Sequence, residues 1–266
     1  MLTLQDIDAV AGRLHDALCE RTPIKPLGVS FPGLSAEDAY AIQEAWTARE
    51  VAYGRKPAGY KLGLTNRPSQ EALGIDRPIY GVLFADARIP DGGRIDRSQL
   101  IAPRAEPELA FVLRTSLEGD VTPQEALAAV DYAAPAVEII DNRVMAVDGE
   151  TGVKRNALDI IADGGGASGY IVSDRRFDPA AIDLGAIEAS VFINGDAQEQ
   201  GCFANVFGSP ENALVELARE LARRGRRIEA GDIVLSGAPI RPLPMERGDS
   251  LRADFAGLGK ITWTMV

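Results

Sequence analysis

Apolar residues recur at helical spacing near the start of the chain, where Ile7, Val10, Leu14, Ala17 and Leu18 fall on one stripe and predict an amphipathic helix over residues 4–20. Ser35-Ala36-Glu37-Asp38 reads as an N-cap that opens a second helix through Tyr40, Ile42, Trp46 and Val51, with Gly54 near its end. From residue 56 the pattern changes to short apolar runs punctuated by Gly and Pro. These predict strands at 59–64, 80–84, 108–113, 136–141, 169–172, 188–193 and 232–235, and within 251–265. Asn194-Gly195 marks a hairpin turn. Two helices are expected among the strands: Thr122-Pro123-Gln124-Glu125 combines an N-cap, Pro at the first helical position and Glu at the third, and Ser209-Pro210-Glu211-Asn212 opens another that Gly225 closes. Strands that far outnumber crossover helices argue against a doubly wound sheet. The expected class is α+β: a helical lobe over residues 1–55 and a mixed, largely antiparallel β core over 56–266, joined in one structural unit.

Candidate chemistry sits on the strand-like runs. In an extended Pro103-Arg104-Ala105-Glu106-Pro107-Glu108 segment, Glu106 and Glu108 point to the same side, roughly 6–7 Å apart at the backbone. Glu138, flanked by apolar residues in Pro135-Ala136-Val137-Glu138-Ile139-Ile140-Asp141, offers a third carboxylate from another run. Buried unpaired carboxylates are costly, so such a set points to a shared divalent cation. A solvated or ion-paired strand face would also account for either segment. Lys61 lies in a mostly apolar, glycine-flanked run; desolvated, it would serve as proton donor, proton acceptor or anion anchor, whereas at a strand end it would only reach solvent. Gly164, Gly166 and Gly169 fit G-x-G-x-x-G but lack a βαβ unit, so they read as a tightly turned loop near the site and not as a dinucleotide fingerprint. Arg143, Arg155 and Arg241 could each grip a distal substrate carboxylate, with surface placement the default for any one of them.

A net charge of −11 argues against a nucleic-acid partner. The basic cluster Arg219, Arg223, Arg224, Arg226 and Arg227 is interleaved with Glu216, Glu220 and Glu229 and reads as a solvated helix face. No apolar run has the length of a membrane span, and the first residues lack the zones of a signal peptide, so the expected compartment is the cytoplasm. Cys19 and Cys202 suit neither a disulfide framework nor a zinc site. The only histidine, His15, falls beside the apolar stripe of the first helix and is expected at the surface, which nearly excludes charge-relay and His-rich metal chemistry.

The ordered set Gly59-Tyr60-Lys61-Leu62-Gly63-Leu64-Thr65, Tyr80-Gly81-Val82-Leu83, Pro103-Arg104-Ala105-Glu106-Pro107-Glu108, Pro135 to Asp141 and Ile161-Ala162-Asp163 resembles the hydratase/decarboxylase family of the fumarylacetoacetate hydrolase superfamily, enzymes of aromatic meta-cleavage pathways. The resemblance implies a rolled mixed β-sheet with an N-terminal helical portion, and usually a homo-oligomer. It makes Glu106, Glu108 and Glu138 the ligands of Mg²⁺ or Mn²⁺ and Lys61 the active-site lysine, and puts Leu64, Thr65, Asp163 and Ser168 at the substrate. Two activities compete: hydration of a 2-hydroxyalka-2,4-dienoate to a 4-hydroxy-2-oxo acid, and release of carbon dioxide from 2-oxohex-3-enedioate. Residues 141–163 look like the hydratase acting on the seven-carbon 2-oxohept-4-ene-1,7-dioate, whereas Pro78-Ile79-Tyr80-Gly81, where hydratases typically carry Pro-Asp, leans to the decarboxylases. Further departures are Gly164, where the family has Asn, and Ala238-Pro239 in place of a segment with hydroxyl residues. The substrate would be a small 2-oxo acid. Association with a partner hydratase, decarboxylase or aldolase is also implied, and a third reading makes the chain a non-catalytic subunit of such a complex.

Overall fold

The computed structural model describes residues 1–266. The chain opens with α1 (Leu4–Glu20) and α2 (Ala36–Ala52), each begun by a capping box, Thr3 with Asp6 and Ser35 with Asp38. There follow β1 (Pro57–Gly63), α3 (Arg67–Leu73), β2 (Ile79–Phe84), β3 (Arg88–Ile89), β4 (Gly93–Ile95) and β5 (Arg104–Leu113). Next come α4 (Pro123–Ala128), β6 (Val130–Ile140), α5 (Ala157–Ala162), β7 (Ala167–Val172), β8 (Glu188–Ile193) and β9 (Asp196–Cys202). The chain ends with α6 (Asn212–Ala222), β10 (Ile233–Leu235), β11 (Leu243–Pro244), β12 (Ser250–Phe255) and β13 (Gly259–Met265).

Two sheets form. The larger runs β2-β1-β10-β5-β6-β7-β3 with β11 on β5; the smaller runs β4-β13-β12-β8-β9. Pairing is antiparallel except for β1 with β10, β3 with β7 and β4 with β13. The predicted α+β class and mixed sheet are therefore present, with the Asn194-Gly195 hairpin joining β8 to β9 through two residues of positive φ.

Strand alternation gives the larger sheet two unlike faces. Leu109, Phe111, Val137, Ile139, Ile171 and Val234 enter the main core, and α1 and α2 bury Val10, Leu14, Ile42 and Trp46 in that same core. The registers Lys61↔Leu235↔Ala110↔Ala134, Glu108↔Ala136↔Val172 and Glu106↔Glu138↔Tyr170 line up on the opposite face. There Leu83, Ala110, Ala134, Ala136, Tyr170, Val172 and Leu235 pack into a second, smaller cluster. This face is the inside of a roll. Small residues at 110, 134 and 136 leave room for it, and a Cβ on Gly81 of β2 would overlap the Gly164 carbonyl that closes over it.

Several expectations need correction. Helices α3 and α5 were not anticipated. Each is six or seven residues, too short to display a hydrophobic period, and α3 buries no residue at all. The polar β9 and the two- and three-residue strands β3, β4 and β11 likewise carry no apolar run. β5 and β6 begin at Arg104 and Val130, well before the apolar runs that announced them. α6 starts at Asn212 after a turn at Ser209. His15 is not a free surface residue: its Nδ1 lies 2.6 Å from Oε1 of the buried Glu50, and its ring stacks on Tyr53. The arginine cluster is only partly a solvated face, since Arg224 covers the Tyr40 ring and Arg226 donates to the Tyr60 hydroxyl at 3.2 Å.

Candidate active site

Glu106 and Glu108 stand two residues apart on β5, and the register places Glu138 of β6 directly opposite Glu106. One carboxylate oxygen from each lies within 4.8 Å of the others. Pro107 between them is accommodated because its nitrogen faces a gap in the ladder. The Leu109 amide, on the same edge of β5, is taken by Ser236 Oγ at 3.1 Å, and β11 does not rejoin β5 until Ala105. The chain leaving β10 at that gap turns at Gly237 (φ +89°), whose amide donates to Glu108 Oε2 at 2.7 Å. Glu108 Oε1 and Glu138 Oε1 are buried without a hydrogen-bond partner.

Lys61 of β1 projects from the same face, 2 % exposed, with Nζ 2.9 Å from Glu138 Oε2. Burial pushes Glu106 up to about 7, Glu138 up, and Glu108 well above the carboxylate range; for Glu106 and Glu108 the charge of their neighbours adds to burial, and Lys61 pulls all three down. Burial alone would lower Lys61, but the attraction of Glu138, Glu106 and Glu108 outweighs it and holds the ammonium above its ordinary value. One lysine thus faces three acids. Orphaned buried oxygens of this kind fit a divalent cation with oxygen ligands, a class that includes Mg²⁺ and Mn²⁺.

Glu106 opens onto a cleft of about 510 Å³ lined among others by Leu62, Gly63, Leu64, Thr65, Asn66, Ser69, Asn205, Ala238 and Arg241. A neighbouring cavity of about 650 Å³ shares Thr65, Asn66 and Asn205 but touches none of the three carboxylates. Leu64 holds a left-handed φ of +56°, rare for a residue with a branched side chain; Gln70 Nε2 bonds its carbonyl at 2.8 Å, and the Phe207 amide bonds the next one at 2.9 Å.

The four positions attributed to substrate contact separate. Leu64 and Thr65 line the cleft. Asp163 does not: both its carboxylate oxygens are taken by Arg143, one by the backbone amide at 2.8 Å and the other by Nε. Ser168 lies apart, beside Arg55, Phe84 and Ala167 in a recess between β2 and β7, because the β6–β7 register shifts near it. Among the arginines, Arg241 sits at the cleft and pairs with Glu199 at 2.7 Å, Arg155 donates to the Val144 carbonyl, and Arg143 is buried. Asn205 and the Gly237 amide were not foreseen; both come from loops whose approach depends on tertiary contacts.

Carboxylates converging beside a buried lysine inside a rolled sheet define a fold of the fumarylacetoacetate hydrolase type, and the chain belongs to that family. Residues 46–266 match the model described as fumarylacetoacetate (FAA) hydrolase C-terminal. The chain is 37% identical over 258 residues to the 2-oxo-hept-4-ene-1,7-dioate hydratase of Escherichia coli, covering 97% of each. It is 34% identical over 264 residues to a 4-oxalocrotonate decarboxylase of a Pseudomonas species, again covering 97% of each. The solved 4-oxalocrotonate decarboxylase of Pseudomonas putida G7, complexed with magnesium and adipate, superimposes with a TM-score of 0.94 at 31% identity over 100% of this chain and 99% of that one. No helix is long and apolar enough to cross a membrane.

Proposed function

We propose that this protein is a metal-dependent lyase that hydrates a 2-hydroxyalka-2,4-dienoate, up to the seven-carbon dioate, to a 4-hydroxy-2-oxo acid. The observation that carries the reading is the meeting of Glu106, Glu108 and Glu138 beside Lys61, with Glu106 opening onto a cleft sized for a small acid. The three glutamates would hold Mg²⁺ or Mn²⁺, whose positive charge would bind a 2-oxo acid and favour negative charge on its 2-oxygen. Lys61 holds a proton next to that point and can lend or recover it at Nζ. Thr65, Asn66, Ser69 and Asn205 give the cleft hydrogen-bonding groups for a water and the carbon chain's polar end, and Leu64 supplies an apolar wall.

A second reading is 4-oxalocrotonate-type decarboxylation. It is favoured by Ile79, which pairs with Gly63 across β1 and β2 near Lys61 and packs into the main core, with no acidic group in its place. The same family reading extends to a cytoplasmic homo-oligomer that can associate with a partner hydratase, decarboxylase or aldolase. It also treats residues 1–55 as part of one unit with the β core, in keeping with Gln43 of α2 bonding the carbonyls of Tyr80 and Ile161.

The test is mass spectrometry of products after incubation with Mg²⁺ and the six- and seven-carbon unsaturated 2-oxo diacids, with an EDTA control. Gain of water on the seven-carbon acid, lost in EDTA, supports hydration. Loss of carbon dioxide from the six-carbon acid favours the second reading, and no change in either refutes both and moves a non-catalytic subunit to the front.

A further inference from the structure

Lys61 is held by more than its strand. The three residues Gly164–Gly166 have φ of +62°, +69° and +71°, a run of left-handed backbone that only glycine adopts freely. This turn lies over the inside of the roll. A Cβ on Gly165 would come within 3.1 Å of Lys61 Cδ and 3.5 Å of its Nζ, so the backbone of the turn forms a wall against the lysine stem. Around the rest of the turn, a Cβ on Gly164 would stand 3.4 Å from the Trp46 ring and one on Gly166 3.1 Å from Asn142 Oδ1, and a single side chain joins the two ends. Arg143, 2 % exposed, donates from Nε to Asp163 Oδ1, from Nη2 to the Asp163 carbonyl and from Nη1 to the Ala167 carbonyl at 3.3 Å, while its guanidinium packs over the Trp46 ring at 4.5 Å. One planar fork therefore ties the residue before the glycine turn to the residue after it. Lysine could not span the same acceptors.

We propose that Arg143 is a positioning residue: by buckling the two ends of the glycine turn together it keeps Gly165 against the Lys61 stem and so holds the lysine on Glu138. This rests on the reading of Lys61 as the proton-handling group, but its structural part is testable without any turnover. Arg143 touches neither the carboxylates nor the cleft, so its loss acts through the turn. Asp163, whose charge is satisfied by Arg143, belongs to the same device.

The experiment compares Arg143→Lys, Arg143→Gln and Gly165→Ala with wild type as Mg²⁺-loaded proteins. Three quantities are read: kcat and KM on the diacid that wild type turns over, Mg²⁺ affinity by calorimetry, and the rate at which a small acylating reagent modifies Lys61 relative to the exposed Lys154 and Lys260. The expected result is kcat lowered by about a hundredfold, KM and Mg²⁺ affinity within about threefold of wild type, and Lys61 acylated at least about tenfold faster while the reference lysines are unchanged. Gly165→Ala, which leaves Arg143 intact, should give the same split, and combining it with Arg143→Lys should add little. Wild-type kcat with wild-type protection of Lys61 overturns the proposal. So does acceleration at every lysine alike, which reports general loosening, and so does a fall in Mg²⁺ affinity that matches the fall in kcat. If wild type itself converts neither diacid, the functional reading fails while the acylation comparison still decides whether Arg143 positions Lys61.

Discussion

Glu108→Gln should raise the stability of the metal-free protein while removing its response to metal. With carboxylate oxygens within 4.8 Å of one another, each ionised pair repels by about 3.5 kcal/mol at an effective dielectric of 20. Lys61, at 2.9 Å from Glu138, returns about 6 kcal/mol for that one contact. Three full charges cannot be sustained by one ammonium, which is why burial and mutual repulsion drive these carboxyls to hold protons. The substitution removes two of the three repulsive pairs, yet Gln keeps an oxygen to accept the Gly237 amide. Because proton uptake already relieves part of the repulsion, the gain in EDTA should be about 1–4 kcal/mol. Wild type at a hundred times its Mg²⁺ dissociation constant should gain about 2.7 kcal/mol, which at roughly 2–4 °C per kcal/mol is an upward melting shift of about 5–10 °C. The assay is differential scanning calorimetry of both proteins in EDTA and in Mg²⁺. A Gln variant that melts well below wild type in EDTA, or that keeps the whole Mg²⁺ shift, would refute the ligand assignment.

Three further outcomes are expected. Lys61→Met should lower turnover by about a hundredfold or more, and, by leaving Glu138 uncompensated, should destabilise the EDTA form by about 3–5 kcal/mol while Mg²⁺ restores much of the loss; unchanged turnover would remove Lys61 from the chemistry. Stability in EDTA should fall as pH rises from the ordinary carboxylate value of 4.5 to about 7, because the folded state holds a proton on Glu106 that the unfolded chain has released. The wild-type minus Glu106→Gln difference in urea midpoints isolates this slope, a flat difference would contradict it, and Mg²⁺ should abolish it because metal ligands must be deprotonated. Gly81→Ala puts a Cβ onto the Gly164 carbonyl and should cost about 1–3 kcal/mol in a thermal melt; a neutral result would mean the glycine turn is not held against β2.

What could be read from the sequence was whatever repeats within a few residues. The alternation that sets Glu106 and Glu108 on one side of β5 is local, as are the cap signals of α2 and α4, and these agree with the structure. Proximity in space was not legible by the same means. Glu138 could be suspected from its apolar neighbours, but that it lies opposite Glu106 is a matter of register between strands. Arg143 shows the limit most plainly. Its flanking residues carry no periodic signal, and its partner Asp163 is twenty residues away, so an arginine that is buried and fully engaged was expected at the surface.

The roll also explains why two chemistries stay in competition on one site. On its inner face the small residues Gly63, Gly81, Ala110, Ala134 and Ala136 leave room beside the carboxylates and Lys61; Leu83, Tyr170, Val172 and Leu235 supply the apolar packing, and Ile79 of β2 lies beside Gly63. Polar side chains line the cleft through Thr65, Asn66, Ser69 and Asn205. Hydration needs a water held at the far end of the conjugated chain, which such a cleft can provide; loss of carbon dioxide gains from an apolar, water-poor surrounding, which Ile79 provides near Lys61. Replacing Ile79 with Asp should therefore act oppositely on the two reactions. It should leave hydration intact or raise it while suppressing any decarboxylation, and parallel loss of both activities would show that Ile79 only packs.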